Sequence, residues 1–465
     1  MVAQNNLCVL VLAAGKGTRM KSVLPKPLHP VCGVPMVAHS LRAAQALNPG
    51  AICVIVGHEA PKVMDEITTH LQAWKITAPV VFAEQKELNG SGGAVQAALP
   101  LLSKFESIMV LNGDVPLIRP ETLSEMYGQF ISKQAGASVL SIDVPNPAGY
   151  GRIVREQDGS FARIVEDADT DEKTRAITEV NGGMYVFNGP ALVEALGKLT
   201  PQGPKHEFYL TDTLAFIKES KPAIVYQLAD FEESLGVNSR AELAAAEAIM
   251  RRRINAKFME NGVRIVRPEA TYIDEGVQIG ADTTIFPDTY IEGNTVIGKN
   301  CLIEGNVMIR NCQVADEVVI RMGSYCDDSI VASHCEIGPY ARLRPGAELK
   351  NKAKVGNFSE VKKSVIGEGS KVNHLTYIGD TDMGAGVNIG AGTITCNYDG
   401  AKKHRTIIGD HCFVGSNTNF VAPVEVKPYS KIGAGSTITK EVPQDSLAIA
   451  RARQVVLENK GVKHD

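Results

Sequence analysis

The stretch Leu12-Ala-Ala-Gly15-Lys-Gly17-Thr-Arg19-Met20 sets two glycines and an arginine directly after an apolar run, and Lys26 follows shortly. Glycines in such a turn let backbone N–H groups approach a phosphate chain, and a helix start beyond them favours its negative charge. Arg19 and Lys26 are the cations that a substrate carrying several phosphates would need. The spacing is neither GxGxxG, because Met20 stands where the third glycine would be, nor a Walker loop; on spacing alone, a structural turn flanked by solvated charge reads equally well. Asp114, in Val110-Leu-Asn-Gly-Asp114-Val-Pro, comes just after another apolar run. A carboxylate there can hold Mg²⁺ between phosphates or cap a turn. In the C-terminal half, Glu360 lies in Asn357-Phe-Ser-Glu360-Val-Lys362 and His374 in Lys371-Val-Asn-His374-Leu-Thr-Tyr377. Chemistry that takes a proton from a nucleophile needs a general base. A histidine steadied by a carboxylate supplies the base. A lone histidine is more often structural.

The elements that must position the first group are readable from residue 1 to about 240. Leu7–Leu12, Ala51–Val56 and 108–111 are candidate buried strands, and 36–47 and 94–102 are candidate helices. Such alternation predicts a Rossmann-like α/β domain with a parallel sheet covered on both faces. Ligands bind beyond the carboxyl ends of strands in such sheets, which is where Gly15 and Asp114 fall. Ser239-Arg-Ala-Glu242 is a capping box opening a helix that runs to Asn261-Gly262. At roughly 1.5 Å per residue it is long enough to link two domains.

The second group sits on a different pattern. Ile279, Ile285, Ile291, Ile297, Ile303 and Ile309 recur every sixth residue. After a slip the rhythm returns at Ile337, Leu343, Leu349, Val355 and Val361, and again at Ile408, Val414, Phe420, Val426, Ile432 and Ile438. A period of six fits neither helix nor exposed strand and marks a parallel β-helix of hexapeptide repeats. A polar insert, 395–406, interrupts it, and insertions in solenoids become loops on one face. The last twenty residues leave the ladder as a tail. The expected organisation is thus a domain at 1–240, a linker helix at 241–261 and the solenoid at 262–465.

Bulk properties narrow the classes. A chain of 465 residues has length for two or more domains, and 44% hydrophobic with 22% charged residues is ordinary for a soluble protein. A net charge of -4 gives no basic footprint, which argues against nucleic acid as a partner. Nine cysteines without a CxxC pair suit reduced thiols in the cytoplasm. The apolar run Leu7 to Ala14 is too short to span a membrane.

LAAGKGTRM, LPKPLHP, NGDVPL, GYGRIV, IVE, VNGGMYVF and GVNSR, in that order, resemble sugar-1-phosphate nucleotidyltransferases. Followed by a hexapeptide solenoid carrying NIGAGTITCNYDG, they resemble the bacterial family of bifunctional N-acetylglucosamine-1-phosphate uridyltransferase/glucosamine-1-phosphate acetyltransferases. The resemblance covers nearly the whole chain and implies a left-handed β-helix. It implies that Leu12, Ala13, Ala14, Gly15, Gly17 and Lys26 bind UTP and sugar phosphate, with Arg19 on the leaving pyrophosphate. Gly90 and Ser91 would face the uracil, Asp114 and Asn238 would hold Mg²⁺, and Gly151, Glu166 and Asn181 would hold N-acetylglucosamine 1-phosphate. In the solenoid it implies His374 as base with Glu360 orienting it, and Arg344, Lys362, Tyr377 and Asn388 on the sugar phosphate. Ala391, Asn397, Tyr398, Ser416, Ala434 and Arg451 would line the acetyl-coenzyme A site. A parallel homotrimer, with sites shared between neighbouring chains, is implied as well.

The chain departs from the family where the base is read. The usual Q-x-E-Q-L-G-T-G-H-A is here Phe82-Ala-Glu-Gln85-Lys-Glu-Leu-Asn89-Gly90-Ser91-Gly-Gly93-Ala94. Phe82 replaces the base-reading glutamine, the loop is longer, Gly93 replaces the histidine, and Asn112 takes the place of the tyrosine in Y-G-D. A phenyl ring cannot make an amide's paired hydrogen bonds, although Gln85 or Asn89 can. Two alternatives stay open on sequence: an acetyltransferase with altered or lost nucleotide specificity, and a non-catalytic regulatory subunit. Retention of Arg19, Lys26, Asp114, Asn238 and His374 speaks against the second.

Overall fold

The computed structural model describes residues 6–202, 206–458 and 460–461. It divides into two compact units, Met1–Met250 and Arg251–Asp465.

In the first unit, Leu7–Leu12 and Ala51–Val56 are strands whose aliphatic side chains are almost wholly buried. The third expected strand runs a little longer, Ser107–Asn112. The main sheet has the order Ala223–Leu228, Ala137–Asp143, Glu179–Asn188, Ser107–Asn112, Leu7–Leu12, Ala51–Val56, Val80–Glu84. It is mixed rather than purely parallel: Glu179–Asn188 runs against both neighbours, with a register shift between Asn181 and Tyr185. The reversal follows from a β-hairpin, Arg152–Arg155 with Phe161–Val165, that brings the chain back after Ala137–Asp143. Leu12 lies level with Ile55 and Asn112, so the loops after these parallel strands open side by side. Helix Met36–Ala46 forms as expected. The helix expected over 94–102 is instead two short ones, Gly90–Gln96 and Leu99–Leu102. Pro100 has no N–H to continue a helix, but fits the first turn of a new one.

Helix Arg240–Glu260 opens with Ser239 Oγ accepting the Glu242 N–H at 3.3 Å. The reciprocal capping bond is displaced by one residue, because the Glu242 carboxylate accepts the N–H of Asn238 at 2.6 Å. Leu243, Ala246 and Ile249 pack with Met20, Val31, Met36 and Leu117 of the first unit. In the second unit Ile254 and Phe258 pack on the solenoid core, and buried Asn255 donates to the carbonyls of Pro268 and Thr271. Gly262, at φ 87°, ends the helix.

The second unit is a parallel β-helix whose short strands stack into three sheets of eleven, ten and nine strands. Nearly every predicted ladder residue is inside; Ile279, in the first full coil, is only partly buried. Burying each such aliphatic side chain contributes roughly 1.5–3 kcal/mol. The slips are coils of seventeen residues in place of eighteen: Ile303 sits level with Ile320 and Ile320 with Ile337, whereas Ile337 sits level with Val355. The ladder therefore continues through Val314, Ile320, Cys326 and Val331, and through Ile366, Val372, Ile378, Met383 and Ile389, with single steps of five at Ile309–Val314, Cys326–Val331, Val361–Ile366 and Ile378–Met383. Thr395 fills one inward position with a hydroxyl, satisfied by the Gly379 N–H at 2.7 Å. The polar insert is a loop between Ile394–Cys396 and Thr406–Ile408, pinched by a bridge between Tyr398 and Lys403. The expected tail begins too early, because Leu447–Ala448 still pairs with Lys431–Ile432. Residues 459 and 462–465 of that tail lie outside the described residues. Among the described residues no helix is long and apolar enough to cross a membrane.

Candidate active sites

At the carboxyl ends of the first unit's parallel strands lies a cleft of about 330 Å³. Leu12, Ala14, Gly15, Gln85, Gly90, Ser91, Asn112 and Asp114, all singled out from sequence, line it together. Lys16, Leu88 and Ala94 line it too and were not anticipated; a lysine between the two glycines was the available signal for Lys16. The glycines differ in purpose. A Cβ on Gly15 would meet nothing, so its backbone is open to a ligand, whereas one on Gly17 (φ +59°) would lie 2.5 Å from Lys26 Cβ. Gly17 thus admits the Lys26 stem, in a backbone region costly to other residues. Arg19 is exposed on the short helix Thr18–Met20.

Lys26 reaches across to Asp114 Oδ2 and, at 2.7 Å, to Asn238 Oδ1. The displaced helix cap explains how Asn238 arrives there: Glu242 holds its N–H, while Val237 donates its own to the Asp114 carbonyl at 2.9 Å. A carboxylate and an amide oxygen therefore converge on one cation position, which the Lys26 ammonium fills. No cluster of three or more His, Cys, Asp or Glu suited to a metal occurs among the described residues. One carboxylate and one neutral oxygen are the sparse donor set that suits Mg²⁺, an ion that keeps several waters and shares its shell with substrate phosphates.

Gly151, Glu166 and Asn181 come together at the hairpin. Asn181 donates its N–H to the Gly151 carbonyl at 2.8 Å, and a Cβ on Gly151 would lie 3.4 Å from Glu166 Oε2. Burial pushes the Glu166 carboxyl above the usual range, partly offset by a hydrogen bond from Thr211, with Asp212 and Asp169 adding repulsion. Asn181 accepts from the Gly183 N–H through Oδ1 and donates through Nδ2 to the Tyr185 hydroxyl. Asn112 donates its amide to the Gly183 carbonyl at 3.1 Å, tying the irregular part of that strand to the cleft.

In the solenoid the predicted residues fall on two corners. Up one corner runs a stripe joined by hydrogen bonds: Gly392 N–H to His374 O, Asn417 N–H to Ala391 O, Gly435 N–H to Ser416 O and Arg451 Nη1 to Ala434 O. The exposed His374 side chain ends strand Lys371–His374, and Asn388 shares its sheet. Around that corner lie the strands carrying Glu360, Lys362 and Tyr377, with Arg344 just past the strand Arg342–Leu343. The insert, with Asn397 and Tyr398, leaves from the far end of this second sheet. Asn397 and Lys362, both nearly buried, meet on Asp380, the latter at 3.5 Å. Contact with Lys403, and then the charge of Asp380, hold the Lys362 ammonium above the usual lysine range, while the same contact pushes Lys403 down. A Cβ on Gly379 would strike both the Tyr377 hydroxyl and the Asn397 amide, so these two polar tips lie side by side. Asp380 and Lys403 were not singled out from sequence, where each is one charge among many.

One implied pairing is not formed within the chain. Glu360 gives its carboxylate to Arg344 at 2.8 Å rather than to His374, because Arg344 is one coil below on the same sheet and His374 lies around the corner. Asn397 and Tyr398 likewise stand away from the Ala391–Ser416–Ala434 stripe.

A glycine-lined cleft at strand ends with a carboxylate–amide cation site, followed by a hexapeptide prism with a histidine at its corner, defines a nucleotidyltransferase joined to a hexapeptide transferase. Family models agree: a MobA-like NTP transferase domain matches 9–185, an EIF2B subunit epsilon LbH domain 255–361, and the bacterial transferase hexapeptide (six repeats) 405–440. The "Bifunctional protein GlmU" of Geotalea uraniireducens (strain Rf4) is 48% identical over 456 residues, covering 97% of this chain and 98% of that protein. Those of Pelobacter propionicus and Clostridioides difficile (strain 630) are 45% and 44% identical, each covering 97% of both chains. The chain belongs to this GlmU family of bifunctional transferases.

Proposed function

We propose that the chain makes UDP-N-acetylglucosamine in two steps, acetylating glucosamine 1-phosphate from acetyl-coenzyme A and then transferring UMP from UTP to N-acetylglucosamine 1-phosphate. Residues 1–240 carry the uridyl transfer, 241–261 the linker helix, and 262–465 the acetyl transfer. The observation that carries this reading is the convergence of Lys26, Asp114 and Asn238 at the mouth of the glycine-lined cleft.

In the first reaction a sugar-phosphate oxygen attacks the α-phosphorus in line and pyrophosphate leaves. No covalent enzyme intermediate is needed, so positioning and charge neutralisation do the catalysis. Asp114 and Asn238 would hold Mg²⁺, which when bound neutralises charge on the phosphates. Lys26 then turns its ammonium to the phosphates, Arg19 faces the leaving pyrophosphate, and Gly15 offers backbone N–H. Glu166 and Asn181 take sugar hydroxyls and the acetamido group.

In the second reaction His374 takes the ammonium proton of glucosamine 1-phosphate, and the amine attacks the thioester carbonyl, releasing coenzyme A. Arg344, Lys362, Tyr377 and Asn388 hold the sugar phosphate. The separation of Asn397 and Tyr398 from the Ala391, Ser416, Ala434 and Arg451 stripe supports a homotrimer in which neighbouring chains complete each acetyl-coenzyme A site. None of the nine cysteines is joined in a disulfide, which supports a cytoplasmic enzyme.

A second reading, a non-catalytic subunit of a larger assembly, draws on the match of 255–361 to an EIF2B subunit epsilon LbH domain. That match covers coils below His374 and none of the first unit. Pyrophosphate release from N-acetylglucosamine 1-phosphate with each nucleoside triphosphate tests both. Release with UTP supports the enzyme; no release with any nucleotide, alongside retained acetylation, leaves only the transferase solenoid.

A further inference from the structure

The residue replacing the expected base-reading glutamine does not reach the cleft. Phe82 is partly buried against the hydrophobic cluster of Val9, Val54 and Val56. Gln85 lines the cleft instead and is only 7% exposed. Its Nε2 donates to the Gly90 carbonyl at 3.0 Å and to Asn89 Oδ1 at 3.1 Å. A backbone carbonyl can only accept, so the Gly90 contact fixes which end of the amide is nitrogen. Both amide hydrogens are thereby committed, and the Oε1 acceptor is the polar atom left for a ligand.

The lengthened loop is built around this clamp. A Cβ on Gly93 would lie 1.9 Å from Asn89 Oδ1, so the missing side chain at 93 makes the space that Asn89 occupies. Asn89 is held in turn by its carbonyl, which accepts the Phe208 N–H at 2.7 Å, and Gly92 returns its N–H to the Phe208 carbonyl at 2.7 Å. Gly90, at φ +98°, has the Phe208 carbonyl 2.5 Å from where a Cβ would be. The changes at 89 and 93 thus compensate one another physically.

We propose that Gln85, locked by Asn89 and Gly90, determines base choice by presenting a fixed acceptor to N3 of a pyrimidine. Uracil carries N3–H and satisfies it; cytosine carries a lone pair there, leaving two acceptors facing each other in a buried site. This rests on the nucleotidyl-transfer reading above and names the group that gives it specificity.

The test is kcat/KM for pyrophosphate release with UTP and CTP, with acetyl transfer by the same polypeptide as the folding control. The wild-type ratio is expected to exceed about a hundredfold. Gln85→Leu should bring it within about tenfold, mainly by losing UTP activity. Asn89→Ala and Gly93→Ala should each lower it, and the double variant should be no worse than either, because both remove the same clamp. Phe82→Gln should leave the ratio unchanged. A wild-type preference for UTP that survives Gln85→Leu would overturn the proposal and leave the uridyl-transfer reading standing. A wild-type enzyme that prefers CTP, or does not use UTP, would overturn both.

Discussion

Replacing Asp114 with asparagine keeps the side chain's shape and removes its charge from the most consequential ion pair in the first unit. In the structure Asp114 Oδ2 meets the Lys26 ammonium, with side chains 29% and 11% exposed. Lys26 keeps Asn238 Oδ1 as a partner, so the variant strands no ammonium entirely. A hydrogen bond to a charged group contributes about 1.5–3 kcal/mol, and the partial exposure of Asp114 places the stability loss near the lower end, about 1–2 kcal/mol. For a unit of this size that is a melting shift of roughly 2–8 °C. Catalysis should suffer far more if, as proposed, the Asp114 carboxylate is the charged ligand of Mg²⁺. Loss of one preorganised electrostatic stabiliser costs about 10²–10³ in kcat. The assay follows pyrophosphate release and coenzyme A release on one preparation. The expected result is nucleotidyl transfer down at least a hundredfold, only partly restored by raised Mg²⁺, with acetyl transfer within about twofold of wild type. Equal loss of both reactions, or nucleotidyl transfer close to wild type, would refute the reasoning.

Gly17→Ala adds a Cβ 2.5 Å from Lys26 Cβ at a left-handed backbone position, so it should cost about 1–2 kcal/mol and displace Lys26; pyrophosphate-release kinetics should show kcat reduced with acetylation intact. His374→Asn should cut acetylation by about 10²–10⁴ and spare nucleotidyl transfer; an undiminished coenzyme A release rate would remove His374 from the base role. The Glu166 carboxyl is raised by burial, so it takes up its proton at higher pH than an ordinary carboxylate. As pH falls, KM for N-acetylglucosamine 1-phosphate should therefore rise earlier than an ordinary carboxylate would cause, and Glu166→Gln should abolish that limb; a limb unchanged by the substitution would count against Glu166 as a sugar ligand.

How much of this was legible in the sequence depended on whether a feature was periodic or local. Ile285 to Ile309 announced the solenoid because burial repeats every sixth residue. Val314, Ile320, Cys326 and Val331 hid because seventeen-residue coils insert steps of five, which break the rhythm without moving the side chain off the inner face. The strands Leu7–Leu12 and Ala51–Val56 were visible as apolar runs, but the reversed Glu179–Asn188 was not, since direction in a sheet comes from connections. The Gly15 and Gly17 loop, Lys26 and Asp114 were readable as candidates that the fold would bring to the strand ends, and there Lys26 meets Asp114. Lys16 and Asp380 were not, because a single charged residue carries no signal until the fold supplies its neighbours. Glu360 was the instructive difference: one coil from His374 in sequence terms, it faces Arg344, since stacking aligns residues on one sheet and not around a corner. The loop at 82–94 read from sequence as a departure that leaves Gln85 or Asn89 to meet the base, and the structure shows Gln85, Asn89 and Gly93 fitting together.

Whether one chain carries two separate active sites working in succession can be read by following the purified protein with glucosamine 1-phosphate, acetyl-coenzyme A, UTP and Mg²⁺. UDP-N-acetylglucosamine is the expected product. Asp114→Asn should stop the reaction at N-acetylglucosamine 1-phosphate, and His374→Asn should block it before acetylation while leaving added N-acetylglucosamine 1-phosphate fully usable. Failure to form the nucleotide sugar, or loss of both steps in either variant, would contradict two separate sites.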